Sequence, residues 1–235
     1  MSPVKKSIII PFFNEEACVR AVLEEVRGCQ PDEEIIAVDD GSRDRTWEII
    51  CGTASVRGIR LTQNRGQSAA MYAGMRAASG DLIVLMDGDG QNDPADIEKL
   101  AALINQGSAD VACGQRVKRR DTLSRRIASR AANAIRRSIL NDGISDTGCS
   151  LKAFRRENVE LLVPFNGLHR YLPAIFKHAG LRIAETPVNH RARTLGVSKY
   201  TNWNRALRGI YDLFGVRWLL NRKVIYPKLE QHNEQ

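Results

Sequence analysis

Short apolar runs that read as buried strands alternate along the chain with longer stretches whose apolar positions recur at helical spacing. Residues 6–11 (KSIIIP) form the first run, rich in β-branched side chains, and residues 17–26 (ACVRAVLEEV) follow with one apolar face. The alternation continues through EIIAVDD, DRTWEIICGTA, GIRLTQN, GQSAAMYAGMRAA and DLIVLMDGDG. This order predicts an α/β fold, a mostly parallel sheet flanked by helices whose loops gather at the C-terminal ends of the strands. DPADIEKLAALINQG reads as a helix with Asp93 as N-cap, Pro94 in the first turn and Gly107 at its end. DVACGQR is a fifth strand, after which the alternation breaks down. LRIAETPVNH reads as a late strand, RARTLGVSKY as a basic loop, and residues 204–222 as an amphipathic helix with Leu207, Ile210, Tyr211, Phe214 and Trp218 on one side.

Four loops, PFFNEE, DDGSRDRT, NRGQS and DGDGQND, each follow a predicted strand, so their polar residues should meet along one sheet edge, where open α/β sheets bind ligands. In the last of them an apolar strand stops at Asp87 and Asp89, Gln91 and Asp93 follow at alternate positions. A hard divalent cation such as Mg2+ or Mn2+ takes oxygen ligands, commonly one or two carboxylates with phosphate and water. Asp87, Asp89 and Gln91 can aim such oxygens at one point, while Gly88 and Gly90 let backbone and ligand approach closely. Two glycines and two aspartates also make a good polar turn; that plainer role suits Asp93, the cap of the next helix.

Composition sets the class. The 235 residues are 43% hydrophobic and 26% charged, ordinary for a soluble domain. The five scattered cysteines form no C-x-x-C pair and point to a reduced cytosolic interior. No apolar run approaches transmembrane length, and the N-terminus meets acidic residues where a cleavage site would stand, so the expectation is a cytoplasmic protein. Net charge is +8, but residues 1–110 hold 11 Lys/Arg against 18 Asp/Glu (net −7) and residues 111–235 hold 24 against 9 (net +15). The acidic half suits a cation; the basic half suits phosphate, an anionic bilayer or nucleic acid. Nucleic-acid binding would explain the arginines of residues 116–137 but would leave the four loops without a purpose.

In order, IIIPFFNEE, VDDGSRDRT, NRGQSAAMYAG and VLMDGDGQNDP resemble the family-two glycosyltransferases of GT-A fold, whose D-x-D motif holds a metal against a nucleotide diphosphate. Further along, GQR, DTGCSLKAFRRE and HRARTLGVSKY are similar to the polyprenyl-phosphate glycosyltransferases, the group of dolichyl-phosphate mannosyltransferase and its bacterial undecaprenyl-phosphate relatives; the resemblance runs to about Tyr211. It implies a GT-A domain over residues 1–200, with a nucleotide-sugar and metal half (1–110) and an acceptor half (111–200), and an amphipathic helix and tail over 201–235. Pro11, Phe13, Glu15, Asp39, Asp40 and Asp87 would border the nucleotide, Asp87, Asp89 and Gln91 the metal, and Arg116, Arg130, Arg193, Ser198 and Lys199 the acceptor phosphate, with Asp87, Asp89, Arg116 and Arg193 carrying catalysis. Arg119, Arg120, Arg136 and Arg137 would face solvent or lipid headgroups. The implied reaction moves a sugar, with inversion, from a UDP- or GDP-linked donor to undecaprenyl or dolichyl phosphate. Its setting would be the cytosolic face of the membrane, the 201–235 segment touching an anionic bilayer, the domain core, a second copy or a membrane partner protein, with no nucleic-acid partner. In hydroxyl-accepting relatives an acidic residue near this point serves as base, so the alternative is transfer to a saccharide or protein hydroxyl with Asp146 as base; a structural or sugar-contacting role is favoured for Asp146 here. Cys149 reads as a packing residue, and His169 and His190 as structural or substrate-wall groups.

Overall fold

The protein is described from a computed structural model, which covers residues 4–117, 134–192 and 202–222. Three isoleucines in a row, Ile8, Ile9 and Ile10, have no exposed surface, because successive strand side chains point to opposite faces and both faces here are covered. They belong to β1 (Lys6–Phe12), which lies between β2 (Glu34–Asp39) and β4 (Leu82–Leu85). With β3 (Arg57–Arg60), β5 (Val111–Arg116), β6 (Lys152–Arg155) and β7 (Ile183–Val188), these strands make one sheet of order β3-β2-β1-β4-β6-β5-β7. All pairings are parallel except those of β6, which runs antiparallel to β4 and β5.

On one face, Ile8, Ile10, Ile35, Leu82 and Val84 meet α1 (Val19–Cys29) and α4 (Ile97–Asn105). Each helix buries residues at i, i+3, i+4 and i+7: Val19, Val22, Leu23 and Val26 in α1, Ile97, Leu100, Ala101 and Ile104 in α4. The short α2 (Thr46–Cys51) adds Ile50 to this face. On the other, Ile9, Ile36, Val38, Ile83 and Leu85 meet α3 (Gln67–Ala77) and α5 (Leu168–His178). α3 lies so close to β1 that a Cβ on Gly74 would come 2.4 Å from Ile9 Cγ2, so only glycine permits this packing.

The expected α/β sheet is present, with two elements the hydrophobic pattern did not announce, β6 and α5. The 93–107 helix begins as a 3₁₀ turn, Pro94–Asp96, capped by Asp93, which accepts from Ala95 N–H at 3.1 Å; it closes at Gly107, whose φ is +70°. The late helix, α6 (Asn202–Arg222), lies against the domain through Leu213, Val216 and Leu220, which join the core. Tyr171 Oη donates to Gly209 O at 3.2 Å, and Arg217 donates to Ile139 O at 2.8 Å. Tyr211 (82% exposed), Phe214 (62%) and Trp218 (64%) point the other way, into solvent. Among the described residues no helix is long and apolar enough to cross a membrane.

Candidate active site

The four strand-end loops are bonded to one another. From the first loop, Asn14 N–H donates to Ser42 Oγ (2.8 Å), Glu15 N–H to Thr46 Oγ1 (2.9 Å) and Glu16 N–H to Asp44 Oδ2 (3.2 Å), and Arg43 N–H returns a bond to Asn14 Oδ1 (2.8 Å). From the second, buried Asp40 accepts from Asn64 Nδ2, Arg65 N–H and Gly66 N–H, each at 2.8 Å, and so holds the third. Burial and neighbouring Asp39 push the Asp40 carboxyl up, and the Arg65 and Gly66 amides pull it back. The third loop reaches the fourth through Gln67 Nε2, which donates to Asp87 Oδ1 at 2.6 Å. Asp39, fully buried, accepts from Ser42 N–H (3.1 Å) and pairs with Arg60 Nε (3.0 Å). Pro11, Phe13 and Glu15 are half-buried beside this junction, where the Cys18 thiol bridges Glu15 Oε2 (3.4 Å) and Gly88 O (3.5 Å).

Asp87 and Asp89 stand at this junction, just past the end of β4. Burial and the charge of Asp89 push the Asp87 carboxyl up to about 6, against the hydrogen bonds of Ser150 and Gln67 and the charge of buried Lys152. A divalent cation would relieve that repulsion, and two carboxylates fit a Mg2+ or Mn2+ shell completed by phosphate and water. Among the described residues no group of three or more His, Cys, Asp or Glu side chains gathers. Gly88 is packed so tightly that a Cβ there would lie 2.6 Å from the Phe12 ring. Gln91 donates its backbone N–H to Asp89 Oδ1 (3.2 Å) and its Nε2 to Arg191 O (3.2 Å), while Gln91 O accepts from Arg191 N–H (2.9 Å). Asp93 does more than cap a helix: it pairs with Arg191 (3.1 Å) and accepts from Asn189 Nδ2 (3.2 Å).

Arg116 ends β5 and forms a two-pronged pair with Asp146, Nε to Oδ2 and Nη2 to Oδ1, both at 2.7 Å. Its Nη1 lies 3.3 Å from His190 Nε2, and His190 bridges to Asn92 in the loop that follows β4. Arg130, Arg193, Ser198 and Lys199 lie outside the described residues, as do Arg119 and Arg120. Arg136 corrects an expectation: it is 8% exposed, paired with Asp142 (3.1 Å) and bonded to Ile144 O (2.5 Å), because it anchors the 142–146 turn beneath the surface; Arg137 is exposed as expected. His169 Nδ1 lies 2.7 Å from Ser68 Oγ, which also accepts from Gly167 N–H at 3.0 Å. Cys149 is buried with its thiol pushed up by that burial, the state of a packing residue. Gln67, Asn92, Ser150 and Glu185 escaped sequence reasoning. Only Gln67, which opens a helix directly after a strand-end loop, carried a local signal of its place.

A mixed sheet with loops converging on a D-x-D carboxylate pair at its C-terminal edge is the arrangement of the GT-A fold. The chain belongs to glycosyl transferase family 2, whose model matches residues 7–162. Dodecaprenyl-phosphate galacturonate synthase of Rhizobium johnstonii is 37% identical over 231 residues, covering 92% of this chain and 68% of that protein. Undecaprenyl-phosphate 4-deoxy-4-formamido-L-arabinose transferase of Yersinia pestis is 35% identical over 221 residues, 90% of this chain and 67% of that one. Glucosyl-3-phosphoglycerate synthase of Mycobacterium tuberculosis, in complex with Mn2+, UDP and glucosyl-3-phosphoglycerate, shares the fold with a TM-score of 0.72 at 19% identity, covering 93% of this chain and 80% of that one.

Proposed function

We propose that this glycosyltransferase moves a sugar from a nucleotide diphosphate donor to a polyprenyl phosphate. Pro11, Phe13, Glu15 and Asp39 border the nucleotide, and Asp40 shapes its site by holding the third loop. Asp87 and Asp89 would hold Mg2+ or Mn2+, with Gln91 beside them, and the bound cation supplies positive charge to the diphosphate leaving group. Gln67 fixes the orientation of Asp87. The acceptor phosphate is drawn to Arg116 together with Arg130, Arg193, Ser198 and Lys199.

The observation that carries a phosphate acceptor over a hydroxyl is the commitment of Asp146 to Arg116 by two 2.7 Å bonds. A hydroxyl acceptor needs a base, and a carboxylate locked to guanidinium is a poor one; a phosphate monoester is already anionic at neutral pH and needs none. The named substrates of the two relatives support the same choice. Positioning and electrostatics then carry catalysis. The exposed aromatic stripe of α6, with its basic residues, supports peripheral contact with an anionic bilayer on the cytosolic side.

Incubation with UDP- and GDP-sugars, Mg2+ or Mn2+ and undecaprenyl phosphate should yield a lipid-linked sugar; no product with any common nucleotide sugar refutes the proposal. Asp89→Ala should lower turnover by about 10³-fold or more, with the circular dichroism spectrum unchanged.

A further inference from the structure

In β7, Glu185 stands opposite Cys113 of β5, away from the loops assigned to donor and metal. Its carboxylate is nonetheless fully engaged with a two-residue turn. Oε2 accepts from Ser145 N–H at 2.9 Å, and Oε1 accepts from Ser145 Oγ and Asp146 N–H, both at 3.0 Å. The Ser145 hydroxyl also accepts from Gln115 Nε2 at 2.8 Å, which turns its proton toward Glu185. Two residues held by three bonds to one side chain have little freedom left, and the second of them is Asp146.

We infer that Glu185 is a positioning residue: by fixing the Ser145–Asp146 turn it makes Asp146 present both carboxylate oxygens to Arg116, and so holds the guanidinium beside His190 and the metal loop. A two-pronged pair forms only when fork and carboxylate are coplanar, so a carboxylate on a loose turn would hold Arg116 by one bond at a time. All three of these bonds are donated to Glu185, so a glutamine there would turn an NH2 group toward one of the donors. This rests on the assignment of Arg116 to the acceptor phosphate only for its kinetic consequence, not for the geometry.

Two measurements on the whole 235-residue chain separate the ideas. In the 15N spectrum the Arg116 Nε–H signal, assigned by its loss in Arg116→Lys, should be protected from exchange in wild type. In Glu185→Gln it should move to the position and exchange rate of a solvent arginine. The same variant should raise KM for undecaprenyl phosphate about tenfold while UDP affinity with Mn2+ changes by less than about twofold. In an Asp146→Asn background, Glu185→Gln should add less than about twofold, since both act through one pair. An unmoved Nε–H signal, multiplicative effects on KM, or equal loss of UDP affinity would overturn the inference. Should Glu185→Gln fail to fold, Ser145→Ala, which removes one of the three bonds, should move the signal part of the way. If the wild-type protein transfers nothing to polyprenyl phosphate, the acceptor assignment fails while the Nε–H signal still judges Glu185.

Discussion

The two carboxylates at the end of β4 are half-buried, and burial together with the charge of Asp89 pushes the Asp87 carboxyl up to about 6. A carboxyl raised on folding stabilises the native state while protonated, and that contribution is lost as pH climbs from its unfolded range through about 6. Asp87→Asn should therefore be more stable than the metal-free wild type at pH 7.5, with the difference in Tm shrinking toward pH 5 as Asp87 takes up its proton. Mn2+ affinity of the wild type, read by calorimetry, should fall as pH drops through about 6, because proton and cation compete for one carboxylate. A pH-independent Mn2+ affinity between pH 5 and 7.5 would contradict this account of Asp87. The place of these residues at the loop junction is legible in the chain, because they directly follow an apolar strand of a parallel sheet whose loops gather at one edge. Their supports are not: Gln67, Ser150 and Lys152 come from distant points, and only the fold brings them to Asp87.

At the scale of elements, β1, β2, β4 and β5 are legible because both faces of a central parallel sheet are buried, so each strand reads as an apolar run. β6 hides for a local reason: it is four residues long, and its first residue, Lys152, is a buried charge that breaks the apolar pattern. α5 hides because Pro173 stands inside it and removes a backbone donor from its middle. The loop between β4 and α4 was only half legible. Asp93 caps its 3₁₀ turn as its place before Pro94 implies, but its pairing with Arg191 and Asn189 depends on β7 ending beside it. Asp93→Ala should accordingly cost about 1–2 kcal/mol in chemical denaturation, a lost cap plus a partly exposed ion pair, while leaving most of the activity that Asp89→Ala removes. Equal activity losses in the two variants would mean that Asp93 belongs to the metal site.

For the molecule as a whole, the segregation of charge and the two-sided character of α6 point the same way. Leu213, Val216 and Leu220 bind the helix to the domain, which leaves Tyr211, Phe214 and Trp218 as an exposed apolar stripe on a helix that also carries Arg217 and Arg222. Aromatic side chains on a helix with basic residues, in a half of the sequence with net charge +15, would suit the headgroup region of an anionic bilayer, where each basic residue near the surface adds about 1 kcal/mol. A self-associating helix would need no such charge. Replacing Tyr211, Phe214 and Trp218 together by serine should leave the core face and the fold intact and weaken sedimentation with phosphatidylglycerol vesicles by about tenfold or more. Wild-type binding should fall steeply as salt rises from 0.05 to about 0.5 M, as the headgroup attraction is screened. On a short, water-soluble polyprenyl phosphate the triple variant should match the wild type, since the stripe serves access to the lipid and not the chemistry. If the variant instead binds vesicles normally and only converts a dimer to a monomer in light scattering, the stripe is an interface between copies of the chain, and the membrane must be met elsewhere.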